Sequence, residues 1–267
     1  MAKRKRHITS KSIAKRIKEG RGIGRLGNYK PWLHIQDVPS LGLSSRIKGW
    51  KTQRVHHFLS GLELLYFYIL DWSINVIDIR EQYPLLPCEE TIAIARSCGI
   101  RYPVHPRTRY PIVMTTDFVN TVRYGHSVFD EPRTVKYKTD LLHQRTLEKL
   151  EIERRYWAAR KKTLKIITED SISKPVAKNV EWFHSCLQLQ NLYGLDALTL
   201  SLLCSIVINA LREQTAPLRD ITIHLDDHLG LEPGTSLLIV RHLLANRCLH
   251  VDMRKVINPS KPLILID

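Results

Sequence analysis

Hydrophobic and polar positions along the chain change period several times, and each change marks an expected element. A basic stretch, Ser12 to Lys18, has the spacing of a short helix. From Val55 to Trp72 the apolar residues Leu59, Leu62, Leu65, Tyr66, Ile69 and Leu70 form a broad helical face, with Glu63 embedded among them. Ser73 to Leu85 is β-rich around Val76-Ile77-Asp78-Ile79 and closes at Pro84 and Pro87. Ile112 to Val122 and Thr134 to Lys138 are expected as two further strands, joined by a turn around Gly125 and Asp130-Glu131-Pro132. His143 to Lys162 follows as a charged helix with an apolar stripe through Leu147, Leu150 and Trp157, and Leu164 to Thr168 as a short β-branched strand. Helix, three strands, helix and strand in that order predict an α/β domain with a mixed sheet.

The pattern shifts after about residue 176. Leu195 to Arg212, Arg219 to Leu229 and Thr235 to Arg247 are helical, the last two separated by a Gly230–Gly234 turn. Leu249 to Asp252 and Leu263 to Ile266 are placed to make a hairpin. Three helices and a hairpin resemble a winged helix. The expected organisation is a basic segment over residues 1–54, an α/β domain over 55–176 and a mainly α domain over 177–267. Gly22 to Gly27 formally matches GxGxxG. A basic helix precedes it and Pro31 follows, so the strand and helix that a dinucleotide fingerprint needs are missing.

Charge sharpens this division. The chain has 267 residues and a formal net charge of +15. Residues 1–60 hold 15 Lys and Arg against 2 Asp and Glu, residues 61–176 hold 18 against 15, and residues 177–267 hold 8 against 9. Nearly all the excess lies in the first quarter of the chain, which suits a polyanion. At 43% hydrophobic residues the chain can bury a core, which excludes disordered and disulfide-scaffold classes. Five scattered cysteines without a CxxC pair indicate free thiols in a reducing cytoplasm. The longest uncharged apolar stretch, Ala197 to Leu211, is shorter than the ~18–20 residues of a membrane span.

Three residues are candidates for chemistry. A carboxylate inside the apolar run around Glu63 is costly to bury unless it is paired or metal-bound. Asp117 is the one acid of the β-branched run Val113 to Val119, and Lys136 lies on the next strand. Two acids and a lysine on a helix and adjacent strands suit metal-dependent phosphodiester cleavage, with oxygen ligands favouring Mg²⁺ or Mn²⁺. Strand alternation puts Lys138 on the same face as Lys136 and does not separate them. Glu148, Glu151 and Glu153 interleave with Lys149, Arg154 and Arg155 as a solvated helix face. His242, Cys248 and His250 match no standard zinc spacing.

Longer runs carry a family resemblance: Arg16 to Gly22, Pro31-Trp32-Leu33, Arg54 to Glu63, Asp78 to Pro87, Thr116-Asp117-Phe118, Val135-Lys136 and Arg145 to Trp157. In these the chain resembles the TnsA family, endonuclease subunits of heteromeric cut-and-paste DNA transposases. The resemblance implies a restriction-endonuclease-like catalytic domain with Glu63, Asp117 and Lys136 as its catalytic residues. It implies Mg²⁺, with Mn²⁺ as substitute, on Glu63, Asp117 and the main chain near Val135. The implied activity is cleavage of the 5′ ends of a transposon. The implied partners are double-stranded DNA, an integrase-type transposase subunit, and an AAA+ ATPase bound by the winged-helix domain. DNA contacts are expected from Lys15, Arg16, Lys18, Arg21, Arg25, Lys30, Arg54, His56 and His57. Lys136 is preferred over Lys138 because it keeps an ungapped spacing to the Arg145-Thr146-Leu147-Glu148 run. Restriction-type enzymes usually carry an acid or Gln two residues before the lysine. Here that residue is Thr134, which suggests that Glu63 substitutes for the missing acid. A stand-alone restriction-type nuclease, a junction resolvase and a non-catalytic DNA-binding assembly subunit are the alternatives.

Overall fold

The computed structural model describes residues 8–38, 43–189 and 196–266. The first seven residues of the expected basic segment lie outside them. The chain divides into two compact units, residues 1–172 and 173–267.

In the first unit, α1 (Ser10–Lys18) is capped by Thr9, whose hydroxyl accepts from the Ser12 amide. A two-stranded antiparallel sheet follows, β1 (Ser45–Lys48) on β2 (Val55–Phe58). The helix expected from Val55 therefore begins six residues late, as α2 (Gly61–Trp72). Val55 to Phe58 alternates between solvent and core and pairs with β1. Ser60 then caps the helix by accepting from the Glu63 amide at 3.2 Å.

The main sheet has the order β3-β4-β5-β6, made of β3 (Val76–Pro84), β4 (Thr115–Tyr124), β5 (Ser127–Val135) and β6 (Lys165–Ile167). The first three strands are antiparallel and β6 runs parallel to β5, so the sheet is mixed as expected. Between β3 and β4 lies α3 (Cys88–Ser97), a helix the hydrophobic pattern did not show; α4 (Gln144–Ala159) joins β5 to β6. The turn expected at Asp130-Glu131-Pro132 is strand, and the reversal occurs at Gly125 and His126. Pro132 is tolerated because β6 pairs only with Arg133 to Val135, leaving β5 an edge strand at that position. One core packs Leu85, Ala95, Met114, Val119, Ile152, Tyr156 and Trp157. A second, aromatic, joins Phe58, Phe67, Tyr66 and Phe118, with the Phe58 and Phe67 rings 4.7 Å apart.

The second unit contains α5 (Lys174–Phe183), α6 (Ala197–Glu213), α7 (Leu218–Leu229) and α8 (Thr235–Ala245). Buried Asp226 accepts from the amides of Gly234 and Ser236 and so fixes the start of α8. The expected hairpin is reduced to one antiparallel bridge, Val251 to Leu265, beside an Ile266 to His250 hydrogen bond of 2.9 Å. Among the described residues no helix is long and apolar enough to cross a membrane.

Candidate active site

The site is assembled at one end of the main sheet, where β4 begins and β5 ends. Register places Phe118 opposite Arg133, so Asp117 faces Thr134 across the ladder. Asp117 Oδ2 accepts three hydrogen bonds, from Thr134 Oγ1 at 2.9 Å, the Val135 amide at 2.8 Å and Lys136 Nζ at 2.6 Å. Its Oδ1 makes no hydrogen bond among the described residues. Thr134, 1% exposed, thus acts as a donor to Asp117.

Lys136 follows the last residue of β5. Its amide donates to Ile167 O and its ammonium bridges Asp117 and Val135 O. Burial works against the charged amine, but Asp117 outweighs it and holds the lysine above its ordinary value. Lys138, past the strand end, pairs with Asp170 in solvent. Geometry separates the two lysines where alternation did not.

Glu63 arrives from the first turn of α2. Its Oε2 accepts from the Leu59 amide at 3.1 Å and Gln82 Nε2 at 3.3 Å, and its Oε1 from Ser60 Oγ at 3.0 Å. Burial, and then the charge of Asp117, push this carboxyl up to about 7. Gln82 sits at φ +49° on β3 and also accepts from Thr115 Oγ1, tying Glu63 to the sheet.

A third carboxyl was misread from sequence. Glu153, expected on a solvated face, is 4% exposed and its Oε1 has no hydrogen-bond partner. Burial first and Asp117 second push it up to about 8. The signal was present: Glu153 lies three residues after Leu150 and four before Trp157, on the apolar stripe itself.

The expected DNA contacts divide. Arg54 and His56 face inward, contrary to expectation: Glu81, fully buried, accepts from both Arg54 terminal nitrogens at 2.8 and 2.5 Å and lies 2.8 Å from His56 Nδ1. Arg21 is likewise largely used internally, 2.6 Å from Asp37, and Arg16 lies 3.8 Å from the same carboxylate and over the Trp32 ring. His57 is half-buried against His34, at 4.6 Å between ring centres, and burial pushes it down to about 4. Lys15, Lys18, Arg25 and Lys30 are exposed.

Two carboxylates and a main-chain carbonyl are hard oxygen donors, the set that Mg²⁺ and Mn²⁺ select. Among the described residues no group of three or more His, Cys, Asp or Glu is placed to hold a metal ion. The free Oδ1 of Asp117 and the charge repulsion felt by Glu63 fit a cation held by these donors with solvent or substrate oxygens completing the shell.

The family description "TnsA-like endonuclease N terminal" matches residues 73–169, and "TnsA endonuclease C terminal" matches residues 171–253. The Escherichia coli "Transposon Tn7 transposition protein TnsA" is 46% identical over 186 residues, which is 69% of this chain and 66% of that protein. The chain therefore spans just under two thirds of that relative's length. Asp117 and Lys136 lie inside the first matched region and helices α5 to α8 inside the second, so both halves point the same way: the chain belongs to the TnsA endonuclease family.

Proposed function

We propose that the protein is a divalent-metal-dependent endonuclease subunit of a cut-and-paste transposase, cleaving DNA strands at the 5′ ends of the transposon. The observation that carries this reading is the triple engagement of Asp117 Oδ2 by Thr134, Val135 and Lys136, with Glu63 close enough for its carboxyl to feel that charge.

Glu63, Asp117 and the main chain near Val135 would hold Mg²⁺ or Mn²⁺, and Lys136 is the third catalytic residue. Such a cation would supply polarisation of the scissile phosphate and a more acidic water. Thr134 Oγ1 and the Val135 amide fix the Asp117 carboxylate so that its other oxygen is presented outward. Ser60, Leu59 and Gln82 do the same for Glu63. The Lys136 ammonium, held at Asp117, orients the attacking water and stabilises charge on the phosphate. Glu153 keeps its proton at neutral pH and backs the lysine from α4 without adding a third negative charge.

Exposed Lys15, Lys18 and Lys30 are basic-segment residues available to double-stranded DNA, with Arg25, which also reaches Thr121 and Asp130, and His57 at the margin. The C-terminal unit reads as a winged-helix-type module. Its net charge of −1 over residues 177–267 suits an AAA+ ATPase regulator better than a phosphate backbone. An integrase-type transposase subunit is the partner that cuts the other strand. The place of action is the cytoplasm, on the nucleoid once assembled. The test is cleavage of transposon-end DNA by the reconstituted complex with Mg²⁺: strand-specific 5′ nicking lost in Asp117→Asn supports the reading, and 5′ nicking that persists in that variant overturns it.

A further inference from the structure

From Thr91 to Thr116 the chain carries no Asp or Glu and four arginines, Arg96, Arg101, Arg107 and Arg109. None of these four side chains makes an ion pair or hydrogen bond among the described residues, and all four are exposed. The basic N-terminal segment presents the opposite picture, since its Arg16, Arg21 and Arg54 are spent on Asp37 and Glu81. Free positive charge is thus present outside the basic segment as well as on its exposed lysines.

Two of these arginines sit on a built hairpin. Val104 and Pro111 form an antiparallel bridge, and the His105 amide donates to Tyr110 O at 2.8 Å. The Arg109 amide donates to His105 O at 2.9 Å, and Arg109 itself adopts φ +56°. Thr108 takes a 3.2 Å bond from its amide to His105 Nδ1, while its hydroxyl donates to Ile8 O at 2.6 Å. That last bond fastens the hairpin to Ile8, two residues before α1, whose Lys11 is exposed.

The hairpin leads directly into β4. At most about 27 Å of extended chain separates Arg109 from Asp117, less than one turn of B-form DNA at roughly 34 Å. The hairpin therefore lies within the length of one helical turn from Asp117.

We propose that the Val104–Pro111 hairpin, through Arg107 and Arg109, grips the sugar-phosphate backbone of duplex DNA flanking the cleavage position. The inference rests on the endonuclease reading and assigns it a binding surface that the basic-segment charge does not reveal. Charge complementarity and the fixed loop favour a regular duplex over a flexible single strand or an acidic protein.

The experiment is fluorescence anisotropy of the full chain on a random-sequence duplex from about 50 to 200 mM salt, with Ca²⁺ in place of Mg²⁺. Each lost phosphate contact lowers the slope of log K against log salt by about 0.9. Arg107→Ala/Arg109→Ala should lower it by about 1.8 and weaken binding equally on unrelated sequences. Arg107→Lys/Arg109→Lys should keep the wild-type slope, which guards against a folding effect. Lys174→Ala/Lys178→Ala, removing equal charge from the second unit, sets the background. A slope unchanged from wild type, or lowered no more than in that control, overturns the inference alone. So does a loss confined to single-stranded DNA. Wild-type protein that holds no duplex at any salt overturns the endonuclease reading with it.

Discussion

The Lys136 ammonium lies 2.6 Å from Asp117 Oδ2, and the strand that carries it has already ended at Val135. Past that end the backbone turns, so Lys138 departs to Asp170 and the two lysines cease to be equivalent. Lys136→Ala should reduce 5′-strand cleavage by roughly 10²–10⁴-fold, the usual yield of a positioned proton-transfer or charge-stabilising group. Lys138→Ala removes only an exposed ion pair and should stay within a few-fold of wild type. Both variants assayed side by side in the reconstituted complex check the assignment; equal losses would refute it.

Asp117→Asn keeps the shape of the side chain and removes the charge that Thr134, Val135 and Lys136 all address. Cleavage should fall by roughly three orders of magnitude or more, while duplex binding, which rests on surface cations, stays near wild type. Calorimetric titration with Mn²⁺ should show the strongest heat in wild type and none in the variant. Retained Mn²⁺ binding at wild-type affinity would move the cation away from Asp117.

How far the site could be read from sequence depends on the range of the interactions that build it. Glu63 and Asp117 stand out because a lone acid in an apolar run is costly wherever the run is buried, a local fact. The mixed sheet followed from alternation and order in the same way. Arg54 and His56 were misassigned because their partner, Glu81, is 27 and 25 residues away and meets them only once β2 lies beside β3. Strand Val55–Phe58 was hidden for a related reason: its apolar residues merge with those of α2, and only the Ser60 cap divides them. Glu153 was legible in principle, since the Leu150–Trp157 spacing places it inward, but its charged neighbours disguised it.

Glu153 gives a test of pH dependence. Its carboxyl is raised to about 8 in the folded protein from an ordinary 4.5, chiefly by burial. Between those values the folded state binds one more proton than the unfolded state, so stability falls as pH rises. Without divalent cation, wild-type melting temperature should therefore drop from about pH 5 to about pH 8 and level off above that. Glu153→Gln, which mimics the protonated acid, should drop distinctly less over the same range. Parallel thermal-denaturation curves for the two proteins would show that Glu153 does not titrate in this window.

Glu81 gives a test of opposite sign. Its burial would raise the carboxyl, but His56 and the bidentate Arg54 overcome that cost and hold it far below the usual carboxylate range. The stability it contributes is present above its ordinary value of 4.5 and is lost as pH falls below it, because the unfolded chain then takes up a proton that the folded carboxylate does not. Glu81→Gln removes the charge at every pH and leaves a guanidinium whose side chain is only 9% exposed without its carboxylate. Removing one partner of a buried pair costs about 3–5 kcal/mol, so the variant should unfold at markedly lower denaturant at pH 7. The gap to wild type should narrow as both are taken toward about pH 3. Denaturant titration at the two pH values checks both statements: an undiminished gap in acid would mean that Glu81 acts through packing and not through its charge.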